Sequence, residues 1–220
     1  MAVYRLFHEL FNQKFGVETV MVDMTDLEAV KKAITPGTRL VHIETPDNPT
    51  DGILDIEAIA KIAHENEAVL SVDNTFASPL NQRPLDLGAD FVVESLTKYI
   101  NGHGDAQGGA IISNDLAAMD RIRYEAQVNV GSVISPFNAW QIFRGAVTFP
   151  LRMERINAST QKIAEWLEQR QNVTFVSYPG LASHPGHELA KKQMKHGFGG
   201  VISFGIAADD KAVLPQRSAR

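Results

Sequence analysis

Three short apolar runs, each ending in polar or charged groups, constrain the fold of this chain more than any other feature. They are Arg39-Leu-Val-His-Ile-Glu44, Val69-Leu-Ser-Val-Asp73 and Phe91-Val-Val-Glu-Ser95. Strands that are apolar almost throughout are buried on both faces, and strands joined through helices run parallel. The intervening segments carry the helical signals. Asp26 to Ala33 reads as a helix stopped by Thr35-Pro36-Gly37. Asp55 is placed to cap a helix from Ile56 to about Glu65, with Ile56, Ile59, Ala60 and Ala63 on its buried face. Arg5 to Phe15 has helical spacing, and Val17 to Val22 and Gly109 to Ser113 read as further strands. The expected class is α/β, a mainly parallel sheet covered by helices.

Beyond Asp115 the pattern changes. Leu116 to Gln127 reads as helix, Ser132 to Ser135 leads into Pro136 to Gly145, and Arg152 to Gln171 is long and amphipathic, with Ile156, Ile163, Ala164 and Leu167 expected inward. Asn172 to Tyr178, Glu188 to Met194 and Gly199 to Ile206 then read as strand, helix, strand. The expected division is a large domain over residues 1–145, then a bridging helix and the start of a smaller α+β domain over 146–220.

Composition narrows the functional classes. Of 220 residues, 44% are hydrophobic and 21% charged, as in ordinary globular proteins, and the net charge is -5 with scattered Lys and Arg. Nothing there favours nucleic acid or an anionic membrane as a partner. No apolar run reaches the roughly 18 residues of a membrane span. Cysteine is absent, which removes disulfides, thiolate metal sites and cysteine nucleophiles. His184-Pro-Gly-His187 reads as a structural loop rather than a metal site, so no metal is expected. The glycines of Asn101-Gly-His-Gly104 follow a lysine instead of opening a helix after the first strand, which argues against a dinucleotide site.

Ligands of parallel sheets bind at the carboxyl ends of the strands. Glu44, Asn48, Asp73, Thr75, Ser95, Thr97 and Lys98 all fall there. A lysine after an apolar strand is by itself usually a solvated strand end rather than a reactive amine, and Asp73 alone is as readily a cap or turn residue. Together they suit pyridoxal phosphate (PLP), which needs a lysine for its imine and an acid to keep its ring nitrogen protonated. Ser95 and Thr97, two hydroxyls beside the lysine, suit a phosphate monoester.

At these residues the chain resembles the trans-sulfuration (Cys/Met metabolism) family of PLP enzymes. The matching motifs are Glu44-Thr-Pro-Asp-Asn-Pro49, Val72-Asp-Asn-Thr-Phe76 with Gln82-Arg-Pro84, and Ser95-Leu-Thr-Lys-Tyr99 with Gly102-His-Gly-Asp105. Ser135-Pro136, Arg144-Gly145, Leu151-Arg-Met153 and Tyr178-Pro-Gly-Leu-Ala-Ser-His-Pro185 match downstream. The resemblance implies the PLP-dependent transferase (aspartate aminotransferase-like) fold. It implies that Lys98 holds PLP and shuttles protons, that Asp73 pairs with the ring nitrogen, and that Thr75 packs on the ring. Ser95 and Thr97 would bind phosphate, Asn48 would contact the phenolic oxygen, and Glu44 would support that site from behind. The implied reactions are γ-elimination or γ-replacement on cystathionine, methionine or O-acylhomoserine. A cytoplasmic homo-oligomer, in the family a dimer of dimers, is implied as well.

The resemblance also implies a longer chain. In the family, a segment before the position of Met1 carries phosphate-binding amides, a ring-stacking tyrosine and groups donated to a neighbouring subunit. A later segment carries the arginine for the substrate carboxylate. Lys211-Ala-Val-Leu-Pro-Gln-Arg-Ser-Ala-Arg220 does not fit the family pattern. The expectation at this level is a chain truncated at both ends, whose alternative role is that of an inactive fragment acting at most as a folding or subunit partner.

Overall fold

The computed structural model describes residues 2–207, so Met1 and the Lys211–Arg220 segment lie outside the described residues. Three parallel strands form its frame: β1 (Leu40–Glu44), β2 (Val69–Asp73) and β3 (Phe91–Ser95), with β4 (Gly109–Ile112) added antiparallel to β3 at one edge. The register places Glu44 opposite Asp73 and Asp73 opposite Val93, so the polar strand ends finish side by side.

The helices begin where the sequence offers a side-chain acceptor. The Asp26 carboxylate accepts the Glu28 and Ala29 amides at the start of Leu27–Ala33, and Asp55 accepts the Ala58 amide at the start of Ile56–His64. Ile56, Ile59, Ala60 and Ala63 all face inward, and they pack with Val41, Ile43, Leu70 and Val72 to form the main core. Phe7 of the N-terminal helix lies against His42 of β1, with ring centroids 5.7 Å apart. His42 also meets the Ser71 hydroxyl at 3.2 Å, and burial pulls its pKa down.

The second part is organised by the helix Phe149–Glu168 and a two-stranded antiparallel sheet of β5 (Val173–Ser177) and β6 (Ser203–Ile206). It is joined to the first part by buried directional bonds. Gln193, 2% exposed, accepts the Ile56 amide at 2.9 Å and donates to the Leu54 carbonyl at 3.0 Å. Asn81 and Asn157 exchange a reciprocal pair of amide bonds at 3.1 and 2.8 Å.

Four local expectations change. Val17 to Val22 forms no strand, because no strand pairs with it among the described residues, and Val17, Val20 and Met21 are exposed. The N-terminal helix is wound as a π-helix over Leu6–Asn12, between α-helical Ala2–Arg5 and Gln13–Phe15. The helix Leu116–Tyr124 likewise continues as a π-helix over Glu125–Val130. On the long helix Ile163 is exposed, while Met153, Asn157, Thr160, Ala164 and Leu167 face inward. The two polar residues are tolerated there because both find partners: Thr160 donates to the Ile156 carbonyl, and Asn157 bonds Asn81 and the Gly199 amide.

The Gln193 bridge gives a direct test. Replacing Gln193→Ala leaves the Ile56 amide and the Leu54 carbonyl buried and unpaired, and should lower stability to urea by about 2–4 kcal/mol.

Candidate active site

The strand ends carry an unusual concentration of carboxyl groups. Burial, with Asp73 beside it in the register, raises the Glu44 pKa to about 7. Asp73 is half-buried, and its Oδ1 accepts the Thr75 amide at 3.0 Å. The Thr75 hydroxyl in turn accepts the Ser95 amide at 2.9 Å, tying the end of β2 to the end of β3. Among the described residues no lysine or arginine forms an ion pair with Asp73 or Glu44.

A buried polar chain runs beneath these ends. Glu94, 4% exposed, accepts the Asn74 side-chain amide at 2.8 Å. Gln82 donates to the Asn74 side-chain oxygen at 3.0 Å and to the Thr45 carbonyl at 3.0 Å. Thr45, Asn74 and Glu94 belong to the ends of β1, β2 and β3 respectively, so one connected set of bonds holds all three in line. Burial raises the Glu94 pKa to about 7, and Asp73 adds to the rise.

The chain turns sharply after β3. The Lys98 amide donates to the Ser95 carbonyl at 3.1 Å, Asn101 to Leu96 at 3.0 Å, and Gly102 to Lys98 at 2.7 Å. Gly102 has φ +70°, a conformation that costs glycine least. The turn walls a pocket of about 310 Å³ lined by Phe76, Thr97, Lys98, Tyr99, Gly102 and Gly104. The Thr97 hydroxyl accepts the Gly108 amide at 3.1 Å and points back toward the Gly108 carbonyl at 3.3 Å. Among the described residues, neither the Lys98 ammonium nor the Ser95 hydroxyl has a side-chain hydrogen-bond partner, and Lys98 forms no ion pair with Asp73.

The sequence of the whole chain decides its family. The Cys/Met metabolism PLP-dependent enzyme model matches residues 2–217. The chain belongs to that family. It is 49% identical to the canavanine gamma-lyase of Pseudomonas canavaninivorans, over 94% of this chain and 52% of that protein. It is 46% identical to the cystathionine gamma-synthase of Mycobacterium tuberculosis, over 95% of this chain and 53% of that one. The cystathionine gamma-lyase of Lactobacillus plantarum, solved with L-serine, superposes with a TM-score of 0.89 at 40% identity, over 93% of this chain and 53% of that one. The chain thus has the fold of the PLP-dependent enzymes of this family and spans about half the length of the relatives it matches.

The residues singled out from the sequence are distributed unevenly. Glu44, Asp73, Thr75 and Ser95 gather at the strand ends, and Thr97 and Lys98 line the pocket. Asn48 lies exposed in the turn after β1 and does not line that pocket. The two loop histidines bond backbone: His184 accepts the Gly186 amide at 3.0 Å, and His187 meets the Pro179 carbonyl at 2.8 Å. Among the described residues no group of His, Asp or Glu is placed to hold a metal ion. Sequence reasoning passed over Glu94, Asn74 and Gln82, although an acid inside the run Phe91–Ser95 is itself a signal.

Glu94 gives a pH test. Its folded-state pKa lies above the ordinary 4.5, at about 7, so the folded protein holds the proton more tightly and loses stability as pH rises through that interval. Glu94→Gln keeps an oxygen for the Asn74 amide but cannot ionise. Urea unfolding should show the stability difference between about pH 5 and about pH 8 shrinking by on the order of 1–3 kcal/mol in this variant.

Proposed function

We propose that this chain carries the cofactor lysine of a PLP enzyme that breaks or exchanges the bond to the γ-substituent of an amino acid. Elimination or replacement on cystathionine, methionine or an O-acylhomoserine is the reading favoured here. The observation that carries it is an amine in a pocket turn that has no ion-pair partner among the described residues, next to strand ends where an acid also lacks a cationic partner among them. A flat cation with an aldehyde and a phosphate satisfies both, and the free Ser95 hydroxyl suits the phosphate. When bound, PLP supplies an electron sink for charge developing at the substrate α-carbon.

The roles of the chain's own groups follow. Lys98 Nζ would form the covalent link to the cofactor and, when free, would accept and return protons at the substrate carbons. Asp73 would hold the ring nitrogen's proton by a charge-assisted hydrogen bond, with Thr75 beside it. Ser95 and Thr97 would bind phosphate, Asn48 would contact the phenolic oxygen, and Glu44 would support that site from behind. The large domain is taken as residues 1–145, with the bridging helix and smaller domain in 146–220. A homo-oligomer is favoured, supported by the apolar side chains Phe137, Trp140, Phe143, Val147 and Leu151, which are exposed along one stretch. No described helix is long and apolar enough to cross a membrane. The cytoplasm is the compartment inferred, and neither nucleic acid nor membrane is expected as a partner.

Two measurements test this reading. Borohydride reduction with PLP present, followed by peptide mapping, should place the pyridoxyl group on Lys98. A label on Lys61 or Lys191 instead would reject the assignment. Asp73→Asn can still accept the Thr75 amide, so Tm should change little. Exchange of the substrate α-proton for deuterium should nevertheless slow by about tenfold or more. Unchanged exchange would contradict the role of Asp73.

A further inference from the structure

Arg152, on the helix Phe149–Glu168, directs its guanidinium into the turn that follows Lys98. Nη1 donates to the Tyr99 carbonyl at 2.7 Å. Nη2 donates to the Ile100 carbonyl at 3.0 Å, to the Gly145 carbonyl at 2.9 Å and, at 3.4 Å, to the Asn101 carbonyl. Nε donates to the Thr148 hydroxyl at 3.1 Å. No carboxylate forms an ion pair with Arg152 among the described residues, and burial pulls its pKa below the ordinary value. Its partners are therefore neutral carbonyl dipoles, three of them from consecutive residues.

Those residues matter because of what precedes them. The Lys98 carbonyl is already taken by the Gly102 amide. Without Arg152, the Tyr99 and Ile100 carbonyls would lose their side-chain donor, while the Asn101 carbonyl would keep only His103 Nδ1 at 2.6 Å, and a turn with unpaired carbonyls has no reason to keep one conformation. Gly102, which lines the pocket with Lys98, is pressed so closely on the guanidinium that a Cβ there would stand 1.8 Å from Nη1. Gly145 is pressed on the same turn from the other side, where a Cβ would stand 2.3 Å from the Asn101 carbonyl oxygen. The cation thus forms the floor of the lysine turn.

We propose that Arg152 is the positioning residue of Lys98: it fixes the turn from Tyr99 to Asn101, and so the direction from which the lysine side chain enters the pocket. This rests on Lys98 being the cofactor lysine. A planar fork can hold three carbonyls from one point, which the single ammonium of a lysine cannot do with the same geometry. Reactive amines are effective only when their approach is fixed in advance.

The test compares Arg152→Met, Arg152→Lys and Gly102→Ala with the unaltered protein. In Gly102→Ala the arginine is retained but its seat is filled. Hydrogen exchange is read first, without PLP. The Asn101 and Gly102 amides should exchange at least about tenfold faster in Arg152→Met and Gly102→Ala, and by a smaller factor in Arg152→Lys, with the amides of β1 and β2 unchanged. The fraction of Lys98 trapped by borohydride at limiting PLP should fall in the same order, about tenfold in Arg152→Met. Unchanged exchange at Asn101 and Gly102, or unchanged trapping, overturns the proposal. So does a uniform rise in exchange through β1 and β2 in all three variants, which would make Arg152 a general structural residue. Trapping on another lysine in the unaltered protein would instead reject the Lys98 assignment, while the exchange result would still report on the turn.

Discussion

The register between β1 and β2 governs this molecule. Once Leu40 pairs with Val69, Glu44 must finish beside Asp73, and two carboxyl groups meet at the edge of a buried sheet. Burial penalises the Glu44 charge and Asp73 beside it adds to the cost, and the rise of Glu44 toward a neutral pKa expresses both. Sliding either strand by one residue would relieve it, but would also turn Val41, Ile43, Leu70 and Val72 out of the core. Hydrophobic packing therefore imposes an electrostatic arrangement that the chain would not adopt for its own stability. Under the function proposed above, a cationic ring held against Asp73 would turn that liability into affinity.

The polar chain from Glu94 through Asn74 and Gln82 to Thr45 serves the same end by different means. Buried polar bonds are directional and expensive to leave unmade, so they fix strand ends more exactly than apolar contacts. Glu94 is not among the residues that line the pocket, yet it accepts from Asn74, the residue that follows Asp73. The site thus rests on two layers: groups able to touch a ligand, and a sealed layer beneath that keeps their backbones level.

Much of this was legible in the sequence, for physical reasons. Apolar runs and capping aspartates act locally, so β1, β2, β3 and the helices begun by Asp26 and Asp55 could be read from short windows. The strand ends that carry Asp73 and lead to Lys98 were legible because β2 and β3 could themselves be read. Val17 to Val22 failed because a strand depends on a partner, which local composition does not contain. The inward face of the long helix was read only in part: Ala164 and Leu167 are buried as expected and Ile163 is not, while Asn157 is buried for the sake of Asn81 and Gly199, distant residues that no periodicity announces. Arg152 stands in a motif quoted from the sequence, but its role was not read for a similar reason: three of its partners are backbone carbonyls some fifty residues away, and carbonyls leave no mark in a sequence.

One helix carries both Arg152 and Asn157. They are five positions apart, about 7.5 Å along the axis at 1.5 Å per residue. Arg152 grips the turn after β3, while Asn157 grips Asn81 and the Gly199 backbone that leads into β6. The helix is therefore a lever with two fixed seats. A rigid-body rotation or slide of this helix would move the lysine turn and the Gly199 backbone together, because both are hydrogen-bonded to it within two turns.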